Sequence, residues 1–275
     1  MHPILFHLGS LPIYTYGVLV ATGFLLGLWY GTRQAPTVGL RPEFIWNLGI
    51  YAILIGLVSS KLWLLLSEWD YYAANPGQIF TIQTFQSAGT FYGGLLGAMV
   101  WIVFYTRLHK APLLAVLDVS SAPLALGHSI GRLGCFVAGC CYGKPTSLPW
   151  GVTFTSPIAA QIAGTPLNVP LHPTQLYEAA AEFLNCLVLV WLGVRQKFSG
   201  QVAGAFLMLY GVERGAIEFL RGDPGRTMMF HDAVSLMQVV SLALVVVGAW
   251  LWWRGLTGSA ALPPRAPTPV ATGRP

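Results

Sequence analysis

Charge is scarce in this chain. Only 9% of its 275 residues are Asp, Glu, Lys or Arg, against about a quarter in an average soluble domain. Cysteine is scarce too: there are four, and three of them crowd into positions 135–141. So few thiols exclude a disulfide-dense scaffold, and no paired C-x-x-C motifs mark a zinc site. The start, "MHPILFHLGSLP", lacks a basic n-region and a small-residue cleavage site. The first apolar segment is therefore expected to stay as a membrane helix. The basic excess, 15 Lys and Arg against 10 Asp and Glu, reads as membrane topology plus an anion site rather than as nucleic-acid binding.

What is present is apolar: 55% hydrophobic residues, 13% aromatic, mean hydropathy +0.61. A bilayer core takes about 20 apolar residues per helix. Seven segments qualify, at roughly 12–31, 44–66, 89–106, 113–131, 176–194, 202–220 and 232–253. The expected fold is an all-α polytopic membrane protein with seven transmembrane helices. Arg33, Arg41, Arg107, Lys110, Arg195, Lys197 and Arg254 follow the odd-numbered segments, whereas Glu68 and Asp70 follow the second. The positive-inside rule then puts the N-terminus outside and the C-terminus in the cytoplasm. One membrane domain is expected over 1–254, with outer loops at 67–88 and 135–175 and a disordered tail at 255–275. Glycines four apart, as at Gly23, Gly27 and Gly31, suit close helix packing.

Six basic residues defy that topology: Lys61, Arg132, Lys144, Arg214, Arg221 and Arg226 all fall at outer helix ends. A cationic patch there would attract an anion such as a lipid phosphate. In "YGVERGAIEFLRGDPGR", Arg214, Glu218 and Arg221 share one helical face. They form either an internal ion pair or an anion site with a positive excess. His128 and Arg132 are also four apart, and Gly131, Gly134, Gly139 and Gly143 are expected to break the helix into a turn-rich segment with free amides. Cys135, Cys140 and Cys141 leave three readings open: a disulfide, an activated thiol, or a metal site without an evident fourth ligand. "LHPTQLYE" offers His172, and Glu178 and Glu182 beyond it are candidate partners for the arginines. Tyr92 opens the third segment, where an interfacial aromatic is common.

In order, "TYG", "YGGLLG", "DVSSAPLALGHSIGRLGCFVAGCCYGK", "HPTQLYE" and "YGVERGAIEFLRGD" resemble the bacterial prolipoprotein diacylglyceryl transferase family over nearly the whole chain up to the tail. The resemblance implies transfer of the diacylglyceryl group of phosphatidylglycerol to the lipobox cysteine of a preprolipoprotein signal peptide, with release of glycerol phosphate. It implies a multi-pass protein of the bacterial inner membrane, among membrane lipids, with no cofactor, metal or nucleic acid. Arg132, Arg214 and Glu218 fall on catalytic positions of the motifs, with Tyr92, His172 and His128 as candidate proton acceptors beside loss of the thiol proton to solvent. Tyr16, Gly134, Gly143, Arg221, Cys135 and Cys140 fall on substrate-binding positions, and Asp118 on the Asp before the family's Ala-Pro.

Two departures stand out. The family reads "H-G-G" where this chain has Tyr92, and a phenol is a poor base near neutrality. It reads "G-R-x-G-N-F-x-N-G-E" where this chain has Cys135, Ala138 and Cys140. Beside the classical transfer stand three alternatives: a related transferase with another acceptor, a membrane thiol–disulfide module built on the cysteine cluster, and a lipid binder that has lost the base.

Overall fold

The computed structural model describes residues 3–9, 11–81, 84, 89–224, 226–229 and 233–258. A hairpin of β1 (Ile4–Leu8) and β2 (Leu11–Tyr14) leads into helix α1 (Thr15–Gln34). Then follow α2 (Pro42–Ser67), the short α3 (Trp69–Ala74), α4 (Phe91–Leu108), α5 (Leu113–Ala138), the short α6 (Pro157–Ala163), α7 (Thr174–Val194), α8 (Gln201–Glu218) and α9 (Leu236–Thr257). The hairpins β3 (Val152–Thr153) with β4 (Pro170–Leu171), and β5 (Met228–Met229) with β6 (Val234–Ser235), fold connecting segments back on themselves.

The seven long helices fall on the seven expected segments. Four of them, α2, α5, α7 and α9, are long and apolar enough to cross a bilayer, and a shorter apolar helix runs over Tyr92–Leu108. Helices α1 and α8 carry Thr22, Gln34, Glu213, Arg214 and Glu218, which dilute their hydropathy. The first segment begins as a strand rather than a helix: Pro12 and Gly9 favour the hairpin turn over helix entry. Part of the expected 67–88 loop and all of the expected tail beyond residue 258 lie outside the described residues.

Helix α5 is the axis. Half of its most apolar stretch is buried, against 6% for α2 and 11% for α9, and it packs on α1, α7 and α8. Large side chains such as Leu57, Leu66, Trp191 and Leu242 stand more than half exposed, as a hydrocarbon-facing surface requires. Small residues set the closest approach: a Cβ at Gly23 would lie 2.6 Å from the Gly127 carbonyl, and one at Gly27 2.8 Å from that of Pro123. Helix α5 also runs on through Gly131 and Gly134, which do not break it as expected. Gly134 is a packing position, where a Cβ would meet the Tyr16 ring at 3.2 Å. The helix stops only at Gly139, whose φ of 82° is the left-handed C-terminal cap.

Asp118 ties α5 to the start of α8. Its buried carboxylate accepts from Gly200 N at 2.6 Å, Ala203 N at 2.8 Å and Gln196 Nε2 at 2.6 Å. It satisfies amides that a helix N-terminus leaves bare and faces the positive end of the dipole. At the same end of the bundle, Arg33, Arg195 and Arg254 each lie over the tryptophan four residues before them, at 4.8, 4.7 and 5.4 Å from Trp29, Trp191 and Trp250.

Removing the cap should be costly. Asp118→Ala leaves buried amides without partners and is expected to destabilise the chain by about 3 kcal/mol. Asp118→Asn, which keeps an acceptor but loses the charge, should cost about half that. Thermal unfolding in detergent micelles measures both.

Candidate functional site

The site forms where α5 and α8 end and α7 begins. Helix α5 presents His128 and Arg132 one turn apart, α7 presents Glu178 and Glu182 one turn apart, and α8 presents Arg214 and Glu218 one turn apart. Three helices thus each contribute an i,i+4 pair of polar side chains to one volume. Arg132 Nη2 lies 2.7 Å from Glu178 Oε1, and Arg214 Nε lies 3.9 Å from the same oxygen. Arg214 Nη1 donates to Glu218 Oε2 at 2.6 Å, and Arg226 Nε donates to Glu218 Oε1 at 2.8 Å. Glu178 and Glu218 are each 1% exposed, so the pairs sit where unpaired charge is expensive.

His128 joins this network with a defined tautomer. Arg132 Nε donates to His128 Nε2 at 3.1 Å, and a guanidinium has no acceptor, so Nε2 carries the lone pair. The ring proton then sits on Nδ1 and donates to Glu182 Oε1, 3.0 Å away and fully buried. A carboxylate holding one imidazole nitrogen so that the other can accept a proton is the arrangement general bases need.

The connection after α5 forms the rim. Gly143 N donates to His172 O at 3.0 Å and Lys144 N to Leu220 O at 2.8 Å, so residues 142–144 run between the start of α7 and the end of α8. Gly143 has to be glycine here: a Cβ would stand 2.6 Å from His172 O and 3.0 Å from Leu220 O. Gln175 Nε2 donates to Cys140 O at 2.7 Å, and Thr174 Oγ1 donates to Cys141 O at 2.8 Å. The "HPTQLYE" stretch therefore shapes the cysteine loop through Thr174 and Gln175, while its His172 ring faces Tyr177 Oη at 3.4 Å. Arg221 binds Asp223 through two parallel bonds of 2.6 Å. That pairing, followed by the charge of Cys141, holds its guanidinium protonated well beyond the usual range against the opposing effect of burial. Hydrogen bonds from the Cys135 and Cys140 thiols, then the guanidiniums of Arg132 and Arg221, draw the Cys141 thiol down in pKa.

Of the residues singled out in the sequence, the structure brings together Arg132, Arg214, Glu218, Arg221, Cys135 and Cys140, with Gly143 and His172 at the rim. Gly134 packs on Tyr16, whose phenol is within electrostatic reach of Arg132 and the three thiols. Tyr92 lies in the first turn of α4, whose main neighbour is α2, and is 41% exposed. Among the described residues the arginines are balanced rather than in excess: Arg132, Arg214, Arg221 and Arg226 pair with Glu178, Glu218 and Asp223, and a fourth carboxylate, Glu182, takes the His128 ring. Buried cations must be paired, and the acids come from α7 and from the turn after α8. The sequence places Arg226 in the outer cationic patch without a role of its own; it does not single out Asp223, nor Glu213, whose Oε2 accepts from Asn185 Nδ2 at 2.7 Å. Glu178 and Glu182 carried a legible signal: two acids four apart in an otherwise apolar helix.

Truncating one partner should strand the other. Glu178→Ala is expected to cost about 3–5 kcal/mol by leaving Arg132 buried and unpaired, whereas Arg132→Met with Glu178→Met together should recover most of that loss. A double-mutant cycle on thermal unfolding gives the coupling.

Residues 3–254 match the family described as prolipoprotein diacylglyceryl transferase. The chain is 35% identical over 254 residues to a phosphatidylglycerol–prolipoprotein diacylglyceryl transferase of Clostridium tetani (strain Massachusetts / E88), covering 92% of this chain and 97% of that protein. It is 34% identical over 257 residues to the protein of the same name from Nitratidesulfovibrio vulgaris (strain DSM 19637 / Miyazaki F), covering 92% and 93%. With the one from Finegoldia magna (strain ATCC 29328 / DSM 20472 / WAL 2508) it shares 31% over 252 residues, covering 91% and 94%.

Proposed function

The chain belongs to the prolipoprotein diacylglyceryl transferase family, and from that membership we propose how its site carries out the transfer. The protein is a bacterial membrane transferase that uses phosphatidylglycerol and a prolipoprotein. In our reading the acceptor is the lipobox cysteine of the signal peptide. The single observation that supports this best is the buried chain Arg132–Glu178–Arg214–Glu218–Arg226 at one end of the bundle.

The acceptor sulfur attacks the terminal glyceryl carbon of the lipid. A C–S bond forms, the C–O bond to phosphate breaks, and the electron pair leaves with glycerol phosphate. Charge therefore grows on phosphate oxygens, and fixed cations help most where charge develops. Arg132 and Arg214, both against Glu178, supply that charge. Glu218 positions Arg214 and Arg226, each through its own oxygen. Phosphate oxygens compete with Glu178 for the guanidiniums, which removes the need for a positive excess before the lipid binds. Tyr16, beside Arg132, faces the headgroup.

Once the Arg132 guanidinium turns to the phosphate and releases the lone pair it holds in this structure, the thiol proton goes to His128 Nε2. Glu182 fixes the opposite ring nitrogen, and Arg132 lies on the same face of α5, so base and phosphate site share one turn. This assigns to His128 the role that the sequence pattern left open among Tyr92, His172, His128 and solvent. Among the described residues no contact of Tyr92 with this network supports that role for it, and His172 serves the rim.

The family and the apolar helices also support the topology expected above: seven spans, N-terminus outside, the site toward the outer face of the inner membrane, and the Arg–Trp pairs toward the cytoplasm.

Incubation with phosphatidylglycerol and a lipobox peptide is expected to add a diacylglyceryl mass to the peptide and release glycerol phosphate. Arg132→Ala should lower kcat by about 100- to 1,000-fold. Glycerol phosphate released without a modified peptide would instead identify another acceptor or hydrolysis. His128→Gln should lower turnover about 100-fold or more at neutral pH. That deficit should shrink above pH of about 8.5, where a free thiol ionises unaided. Tyr92→Phe should leave turnover within a few-fold, and a large loss there would return the proton to Tyr92.

A further inference from the structure

Three thiols beside Arg132 have no task in this transfer. The sulfur atoms of Cys135, Cys140 and Cys141 all lie within 4.8 Å of one another. We propose that they form a three-thiolate site for one soft metal ion, copper(I), at the rim of the arginine network.

Size comes first. A trigonal ion with metal–sulfur bonds of about 2.3 Å sets its sulfurs about 4 Å apart. Contracting a cluster spread over 4.8 Å to that size takes small side-chain rotations only. Preorganisation comes second. Cys135 is fixed in the last turn of α5, and the Cys140 and Cys141 carbonyls are held by the fully buried Gln175 and Thr174. Cys141 itself has φ of 61°, the left-handed region that non-glycine residues seldom occupy, and this reversal turns its side chain back toward the other two. Third, little is lost on binding: the thiols bond weakly among themselves, and the Cys140 thiol also reaches the Cys135 carbonyl at 3.8 Å, a weak contact. All three cysteines are part-buried, which shields the sulfurs yet leaves a way in.

The donor set selects the ion. Thiolates favour soft metals. Structural zinc takes four protein ligands, and the cluster found among the described residues contains three, all sulfur. Copper(I) is content with three. Loading exchanges three S–H bonds for three Cu–S bonds and releases three protons, while copper stays in its +1 state and no electron moves. The complex carries two negative charges, and Arg132 and Arg221, both within electrostatic reach of Cys141, help to balance them. Cys186, buried in α7 among Ala122, Leu189 and Val202, belongs to the core and is outside this set. The site stands on the geometry of the thiols and is independent of what the arginines bind.

The test uses the full chain in detergent, reduced and kept under argon, titrated with copper(I) held by a chromophoric copper(I) chelator. One copper per chain is expected, and X-ray absorption should show three sulfur neighbours at about 2.3 Å. Cys135→Ser, Cys140→Ser and Cys141→Ser should each weaken binding at least about 100-fold, more than loss of an outer partner does, and Cys186→Ser should leave it unchanged. Because the wild-type spectrum counts sulfurs directly, the outcome does not depend on the variants folding. Failure to draw copper from the chelator, a two-sulfur spectrum, full binding by Cys140→Ser, or preference for zinc with a fourth oxygen ligand would each overturn the assignment. So would a Cys135–Cys140 disulfide that re-forms after reduction in preference to loading.

Discussion

The ion pair between Arg132 and Glu178 is the constraint around which the rest is arranged. A guanidinium placed this deep in an apolar bundle is tolerable only against a carboxylate, and that carboxylate must come from another helix. Once Glu178 fills the role, α7 is fixed against α5. Arg214 approaches the same oxygen and brings α8 in as the third wall. Glu218 then answers Arg214 and recruits Arg226 from the turn beyond. Each charge buried for function creates the demand that its neighbour meets, and the three-helix corner results from that sequence of demands. Specific binding of a phosphate would use the same donors without new ones having to be uncovered.

The rim follows a different logic, based on hydrogen bonds to main chain. Thr174 and Gln175 spend their side chains on the carbonyls of Cys140 and Cys141, and Gly143 is pressed between the backbones of His172 and Leu220. Residues that look like ligand contacts in a motif can thus be the scaffolding of the loop that carries the contacts. Two of the three clustered thiols, those of Cys140 and Cys141, lie on that scaffolded loop, and Cys135 stands in the last helical turn before it.

Much of this was legible in the sequence, and for physical reasons. Apolar length marked where the seven long helices run, and the i,i+4 spacings of His128 with Arg132, Glu178 with Glu182 and Arg214 with Glu218 marked the faces that meet. What periodicity does not carry is contact between helices. It could not show that Asp118 caps a helix more than 80 residues away, that Gly134 continues a helix to make room for Tyr16, or that Tyr92 stands on a helix turned toward α2. Glycine was the ambiguous letter: Gly131 and Gly134 lie within the helix, whereas Gly139, with its left-handed φ, ends it. The pairings of Asp223 with Arg221 and of Arg226 with Glu218 were not legible because Asp223 and Arg226 lie in a turn, where spacing says nothing about what a side chain reaches.

Helices α5 and α8 run in the same direction and are joined near both ends. Asp118 holds the backbone at Gly200, and fourteen residues further along each helix Arg132 and Arg214 share Glu178. Fourteen residues span about 21 Å of helix, so the two joints work like matched marks on a pair of rulers. A single residue inserted between the marks on one helix would slide its arginine by about 1.5 Å and swing it by about 100° away from the other. A single residue inserted on both would restore the pairing yet carry both arginines round to a different face. The length of this stretch is therefore metered: natural variation within it should appear as substitution, and insertions should gather in the connections outside the two joints.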